Sequence, residues 1–444
     1  MSVANQRRDA GRGRRTGAGG GGRTAAVVAA FAALLAGCTA LPRGEGQYCP
    51  SEAITTVEVY DACASYATRL GYPYLYVSLG DAVAAGSVPG LAPADAVVWY
   101  ERGVRRDDTW AMIGLADLLA SGEVPGDHGE RVVDLYERAI ERRNPYAQAA
   151  AGNLFAEGRV VPRDPDRAVD HYAAAAGAGL DWANAEAARL LLEQPGRERE
   201  AARYLEAAVA AGSPWASTEL AALYADGALG RPDPERAVAH FERAVAAGYT
   251  PAVIAYATRL WQGDGLPRDD ARAVDLFARA SAEGNLWARY TLAGAYAEGR
   301  GVPRDLERAA ALYAEASADG HAASSYELAL AYRTGAGVTP SSARAVELLR
   351  TAAGQGHAHA TALLAEHYAW GDAVPQDIAR ALELYEQAAR GGSVQAMRQL
   401  ARMLRNGAGG RRPDPQAAAY WERQAASARV AAVRTTVATA EAGR

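Results

Sequence analysis

Six aromatic residues recur at regular intervals: Tyr74, Trp110, Tyr146, Trp182, Trp215 and, after a gap, Trp287. Tyr and Trp combine an apolar body with a polar handle. A surface row of them can grip a partner protein or lie on the flat face of a sugar. The row is broken at Pro251 and gives way after Trp287 to Ala323, His359 and Gln395, so such a surface would belong to the N-terminal half. The same spacing fits a second reading, in which each ring folds over the preceding turn and supplements a core with only 4 Phe. Both readings stay open.

The three cysteines offer other chemistry. Six arginines (Arg7, Arg8, Arg12, Arg14, Arg15, Arg23) precede an apolar run from Ala25 to Ala36. That run falls short of the ~20 residues that span a bilayer and has the size and flanks of a secretory signal. It ends in Leu35-Ala36-Gly37-Cys38, which resembles a bacterial lipobox. The resemblance implies that residues 1–37 are a lipoprotein signal peptide and that Cys38 becomes lipidated and N-terminal. Cys49 and Cys63 remain, 14 apart. Outside the cytoplasm such a pair normally oxidises; two free thiols are the alternative. A disulfide would tie the leader to a helix predicted over residues 51–70, which caps the remainder of the chain.

Histidines offer little. His357, His359 and His367 are close in sequence, but His357 repeats the position of His321, and Glu366 adjoins His367 and so points to another face of a helix. No metal site is expected. No nucleophile motif or phosphate loop stands out from the periodic background, so neither enzyme activity nor a cofactor is expected.

The elements that must position these residues repeat every 36 residues. Ten units run from 73 to 429, nine of 36 residues and one, 181–213, of 33. Within each, positions 1–13 predict a first helix and about 20–35 a second. Position 14 is Gly in nine units, as at Gly299 and Gly335, where a helix end needs a left-handed cap. Asp164-Pro165 and Asp233-Pro234 read as a cap and first residue of second helices. Position 24 is mostly Ala and position 28 mostly aromatic, a small–large pair on one helix face that predicts core. Tyr224, Tyr296, Tyr332 and Tyr368, at position 11, are expected in the same core. One unit cannot bury its apolar face alone, so the units must stack. The short unit carries Gln194 where Gly belongs and predicts a kink or a junction between 73–180 and 214–429.

Tyr296, Gly299, Gly301, Val302, Asp305, Ala309 and Tyr313, with the join Gly356-His357-Ala358, resemble the Sel1-like repeat, a relative of the tetratricopeptide repeat. The resemblance covers about residues 73–429. It implies an all-α, right-handed superhelical solenoid of about ten helix pairs. Residues 38–72 would form a tether and N-terminal capping helix, and 430–444 a C-terminal tail or cap. Solenoids usually present surfaces to partner proteins.

The net charge is −5, and every basic residue is Arg. Removing residues 1–37 takes away six Arg and one acid, leaving a more acidic chain that argues against nucleic acid. Thr39 follows Cys38 where Asp would retain a lipoprotein at the inner membrane. The expected location is therefore the outer membrane, lipid-anchored and facing the periplasm. Lipobox, repeats and length together resemble the alginate-export scaffold lipoproteins. That likeness implies partners among envelope proteins: an outer-membrane β-barrel with polysaccharide-modifying enzymes. Control of a peptidoglycan enzyme or sensor by protein contact, and glycan binding by the six rings, are the alternatives.

Overall fold

The computed structural model describes residues 49–442; Cys38 and the signal segment 1–37 lie outside the described residues. Among the described residues every regular element is helical, with twenty-one α-helices and two short 3-10 turns. Structurally this is a repeat-type solenoid. First helices such as Thr109–Ser121 and Leu286–Glu298 fill unit positions 1–13. Second helices such as Gly129–Glu141 and Leu306–Ala318 fill positions 21–33.

Local chemistry sets these boundaries. The first helix ends on a left-handed Gly, as at Gly299 (φ 72°), whose N–H donates to Ala295 O. The second helix opens on an Asp or Ser whose side chain accepts the N–H three residues on, as Asp305 accepts from Arg308. The N–H of this cap residue also donates to the carbonyl of position 11. Asp164 to Phe155, Asp305 to Tyr296 and Asp377 to Tyr368 are each 2.9 Å. One residue thus caps the second helix and pins it antiparallel to the first.

Four units depart from this frame; in the second, the second helix opens on His128 with no side-chain cap. The second helix of the first begins as a 3-10 turn, Pro93–Ala96, before Val97–Val104. The short unit has a first helix of 10 residues, Ala183–Leu192, and its turn is closed by Gly196 (φ 87°) in place of a position-14 Gly. The last helix, Pro415–Ala442, begins in the tenth unit and runs through most of 430–444.

Two compact units divide the chain, Met1–Leu223 and Tyr224–Arg444. The first has a core that includes Leu75, Tyr100, Met112, Tyr136 and Tyr172. In the second, Phe241 and Phe277 are fully buried, and Tyr385 packs among Leu349, Leu382 and Leu400. The small–large pattern of positions 24 and 28 is therefore core. Position 11 is core at Leu119, Phe155 and Leu260. Tyr224, Tyr296, Tyr332 and Tyr368 are partly buried, the last three packed against the core of the second unit, and an arginine lies over each ring or meets its hydroxyl. Arg236, Arg308 and Arg344 lie 5.5, 4.4 and 5.6 Å from the first three ring centres, and Arg350 donates to the Tyr368 hydroxyl at 3.2 Å. Arg167 lies over buried Phe155 in the same way, 3.9 Å from its ring centre.

Cys49 and Cys63 form a disulfide with Cα atoms 6.0 Å apart, which ties Cys49 to the helix Val57–Leu70. A loop of ~15 residues corresponds to about 3 kcal/mol on the chain-entropy account. Reduction should therefore lower the unfolding midpoint of the first unit while leaving the second unchanged. Hydrogen exchange with and without reductant reads this directly; equal protection in both states contradicts it.

Two first helices have histidine caps. His321 Nδ1 accepts the Ser324 N–H at 3.2 Å, and His357 Nδ1 accepts the Ala360 N–H at 3.1 Å. Burial holds both imidazoles below the ordinary value of 6.5, and for His357 the nearby His359 and His321 act in the same direction. Protonation converts the acceptor into a donor and places a cation at the positive end of a helix. With folded values depressed, the stabilisation is complete above pH 6.5 and is lost as pH falls through the folded values. Acidification below pH 6.5 should therefore destabilise the second unit. Asn285 caps the equivalent helix one unit earlier, accepting from Ala288 at 2.8 Å. The double variant His321→Asn/His357→Asn should therefore fold normally and lose this component of the pH dependence; an unchanged slope refutes the assignment.

Candidate functional site

Position 9 of the first helices faces a groove in the first compact unit. The residues there are Asp81, Asp117, Asn153 and Arg189, all of which line a cavity of about 930 Å³. Beneath them lie the position-28 tyrosines of the second helices. Tyr100 donates its hydroxyl proton to Asp81 Oδ1 at 2.7 Å, Tyr136 to Asp117 Oδ1 at 2.6 Å and Tyr172 to Asn153 Oδ1 at 2.6 Å. These rings are buried, and burial pushes the Tyr172 hydroxyl well above its usual value. A buried hydroxyl that stays protonated is a permanent donor. It orients each position-9 group at little further entropic cost when a ligand arrives.

Acid dominates the rest of the lining. Glu52, Glu123, Glu157 and Glu186 join the two aspartates, against Arg159 and Arg189. Arg159 is paired with Glu157 at 3.0 Å, and Arg189 with Glu186 at 3.0 Å and Glu193 at 3.2 Å. These pairs cancel Glu157 and Glu186 along with the two arginines.

The six sequence-predicted aromatics do not form one flat row. Trp110 and Tyr146 meet each other, with ring centres 5.1 Å apart and planes tilted by 44°, and both pack on the core. Tyr74 stacks on Tyr72 at 5.7 Å. Trp182 turns into the groove. Trp215 hydrogen-bonds Glu219, whose carboxyl burial pushes up. Trp287 stands edge-on to Phe277 at 5.5 Å and is exposed. His171 and His240 stack on Phe155 and Tyr224.

Sequence reading missed the position-9 residues, although a signal was present. Asp81–Tyr100, Asp117–Tyr136 and Asn153–Tyr172 share a separation of 19, and Glu366–Tyr385 repeats it. Where position 9 is Ala222 or Thr258, position 28 is Phe241 or Phe277. A buried phenol needs an acceptor, and a phenyl ring does not; Gly294, opposite buried Tyr313, breaks the pattern.

Comparisons place this architecture among known proteins. The Sel1 repeat family model matches residues 145–180, 216–249, 250–285, 288–321, 322–357, 358–393 and 394–429, more than half of the chain. Residues 73–144 and 181–215, which supply much of the groove, fall outside these matches. A Sel1 repeat protein from Oxalobacter formigenes is 26% identical with a TM-score of 0.52, over 74% of this chain and 86% of that one. A protective antigen of uropathogenic Escherichia coli strains, displaying an SLR fold, is 22% identical with a TM-score of 0.52, over 96% of this chain and 87% of that one. The second likeness speaks for the fold alone. No curated protein matches the sequence.

Proposed function

We propose that this chain, which belongs to the Sel1 repeat family, is an envelope scaffold that binds partner proteins and catalyses no reaction. A stack of helix pairs of this kind is suited to protein–protein interaction, because it offers a long surface made from a short repeat. The observation that carries the reading is the groove between residues 51 and 189. Asp81, Asp117 and Asn153 are oriented by buried donors, and the first two lie in repeats outside the family-model matches.

The scaffold is proposed to be lipid-anchored through Cys38 at the outer membrane, facing the periplasm, and to organise an exopolysaccharide-secretion complex of the alginate type. The basis is the leader sequence, Thr39 and the repeat count. Capture of envelope proteins by the mature chain tethered through residue 38, followed by mass spectrometry, tests this. The expected yield is an outer-membrane β-barrel with polysaccharide-modifying proteins. Recovery of peptidoglycan synthases or a sensor instead would overturn the export assignment and leave a regulatory scaffold.

A further inference from the structure

Three turns of the first compact unit carry a charge pattern that the groove does not use. Each leads into the first helix of a pair: Arg69-Leu70-Gly71-Tyr72, Arg105-Arg106-Asp107-Asp108 and Glu141-Arg142-Arg143-Asn144. The equivalent turns from 177–180 to 354–357 hold no arginine.

The three turns touch one another. The Arg106 guanidinium lies against Gly71, where a Cβ would collide with it, and Arg142 Nε donates to Asp107 Oδ2 at 3.0 Å. Asp107 also faces Arg138 at 3.8 Å, and Asp108 caps the helix Thr109–Ser121, accepting the Ala111 N–H at 2.8 Å. Two of the three acids are thus engaged, which leaves exposed Glu141 against Arg69, Arg105, Arg106 and Arg143. No carboxylate among the described residues pairs with those four arginines. This edge is therefore cationic in a chain of net charge −5, and screening over about 8–10 Å lets it act apart from the bulk.

The backbone gives a second sign. The third residue of these turns is left-handed, and it is Gly at 71, 179, 212 and 248, with φ 68°, 98°, 89° and 76°. At the two arginine-rich turns it is Asp107 (φ 65°) and Arg143 (φ 59°). Glycine takes this conformation freely, whereas a residue with a Cβ is strained in it. Asp107 offsets the strain through Arg142 and Arg138. Arg143 has no ion pair among the described residues, so its charge is kept at a cost to the fold.

Apolar groups border the arginines. Leu70, Tyr72 and Tyr74 are 39%, 50% and 39% exposed, and the two rings stack at 5.7 Å. Guanidinium groups beside amphipathic rings suit the headgroup level of a bilayer, where rings settle at the interface and cations meet phosphate. The course of the chain brings a bilayer within reach. Cys38 precedes Cys49 by 11 positions, at most about 40 Å of extended chain, and the disulfide fixes Cys49 to Cys63. Arg69 follows Cys63 by less than two helical turns, about 9 Å.

We propose that the edge formed by the turns 69–72, 105–108 and 141–144 docks on the anionic phospholipid surface of the membrane that holds the Cys38 anchor. This rests on the anchor reading above and adds a protein contact beside the lipid. The tether raises the local concentration of headgroups, so a patch of individually weak contacts suffices.

The test sediments the unlipidated mature chain with vesicles of equal parts phosphatidylcholine and phosphatidylglycerol, and with vesicles of phosphatidylcholine alone. Binding should need phosphatidylglycerol and weaken as salt rises. Arg105→Gln/Arg143→Gln should weaken it about tenfold or more. Arg333→Gln/Arg398→Gln removes the same charge from exposed sites in the second unit and should leave it unchanged. Arg143→Gly separates binding from folding: it should weaken vesicle binding without lowering the thermal midpoint, because glycine relieves the left-handed backbone. Equal binding to both vesicle types, or equal weakening by both double variants, overturns the proposal. Tighter binding to a soluble polyuronate than to vesicles, or unchanged vesicle binding in Tyr72→Ser/Tyr74→Ser, overturns the membrane as the occupant. Palmitate labelling of Cys38 in cells reads the anchor separately. A labelled chain with no vesicle binding overturns the docking edge alone, whereas vesicle binding by a chain that takes no label supports the edge and sinks the anchor.

Discussion

Phe277→Ala is expected to cost the second compact unit about 3–5 kcal/mol, the range for removing a buried aromatic ring. Phe277 is fully buried and meets Trp261 at 5.9 Å and Trp287 at 5.5 Å, both edge-on. The void would lie between Asp270–Ala282 and the first helices on either side, Thr250–Gln262 and Leu286–Glu298. Each unit is held mainly by its neighbours, so local damage weakens two interfaces at once. Urea unfolding monitored by tryptophan fluorescence should show a transition at lower denaturant. A loss below about 1 kcal/mol would mean that the ring is not the keystone its burial implies.

Gly337→Ala is the second large effect, and it tests how one unit is laid on the next. Gly337 has φ +74°, and a Cβ there would stand 2.0 Å from Leu306 O, a backbone atom at the start of the preceding unit's second helix. Gly301 makes the same approach one unit earlier, with Asp270 O at 2.3 Å. A methyl group at Gly337 must both adopt a left-handed backbone and push two units apart. The expected cost is about 3 kcal/mol. Gly354 provides the control, since it lies in the helix Ser342–Gly354 and a methyl group there would have nothing within 4 Å. Gly354→Ala should be neutral or stabilise by about 0.5–1 kcal/mol. Equal behaviour of the two variants in thermal unfolding would contradict this account of stacking.

Much of this architecture was legible because a repeat states its rules many times. Gly at position 14, Asp before the second helix and an aromatic at position 28 each answer a local physical demand. Together they placed helix ends within a residue or two. The position-11 tyrosines sit at the edge of the core. Periodicity places a residue on a face but does not say that Arg308 or Arg344, twelve residues on, will lie over the ring. The six aromatics share a position yet meet different neighbours, so equal spacing did not give one flat surface. Trp110 tilts against Tyr146, while Trp182 enters the groove. Tilted rings packed on the core make a poor platform for a sugar face, and this favours protein contact over the glycan alternative. Groove chemistry was hidden in a covariation between positions 9 and 28, which becomes visible only when two helices are known to be antiparallel. Asp81 and Asp117 looked like ordinary polar helix positions until the hydroxyls of Tyr100 and Tyr136 were found beneath them.

The central claim is that partners are held in the first unit's groove. Site-specific photocrosslinking in living cells tests it most directly, with a probe in place of Ser121 in the groove lining and a second in place of Glu307 in the second unit. The account predicts a discrete envelope-protein adduct from position 121 and no such adduct from position 307. An adduct from 307 alone, or none from 121, would contradict it.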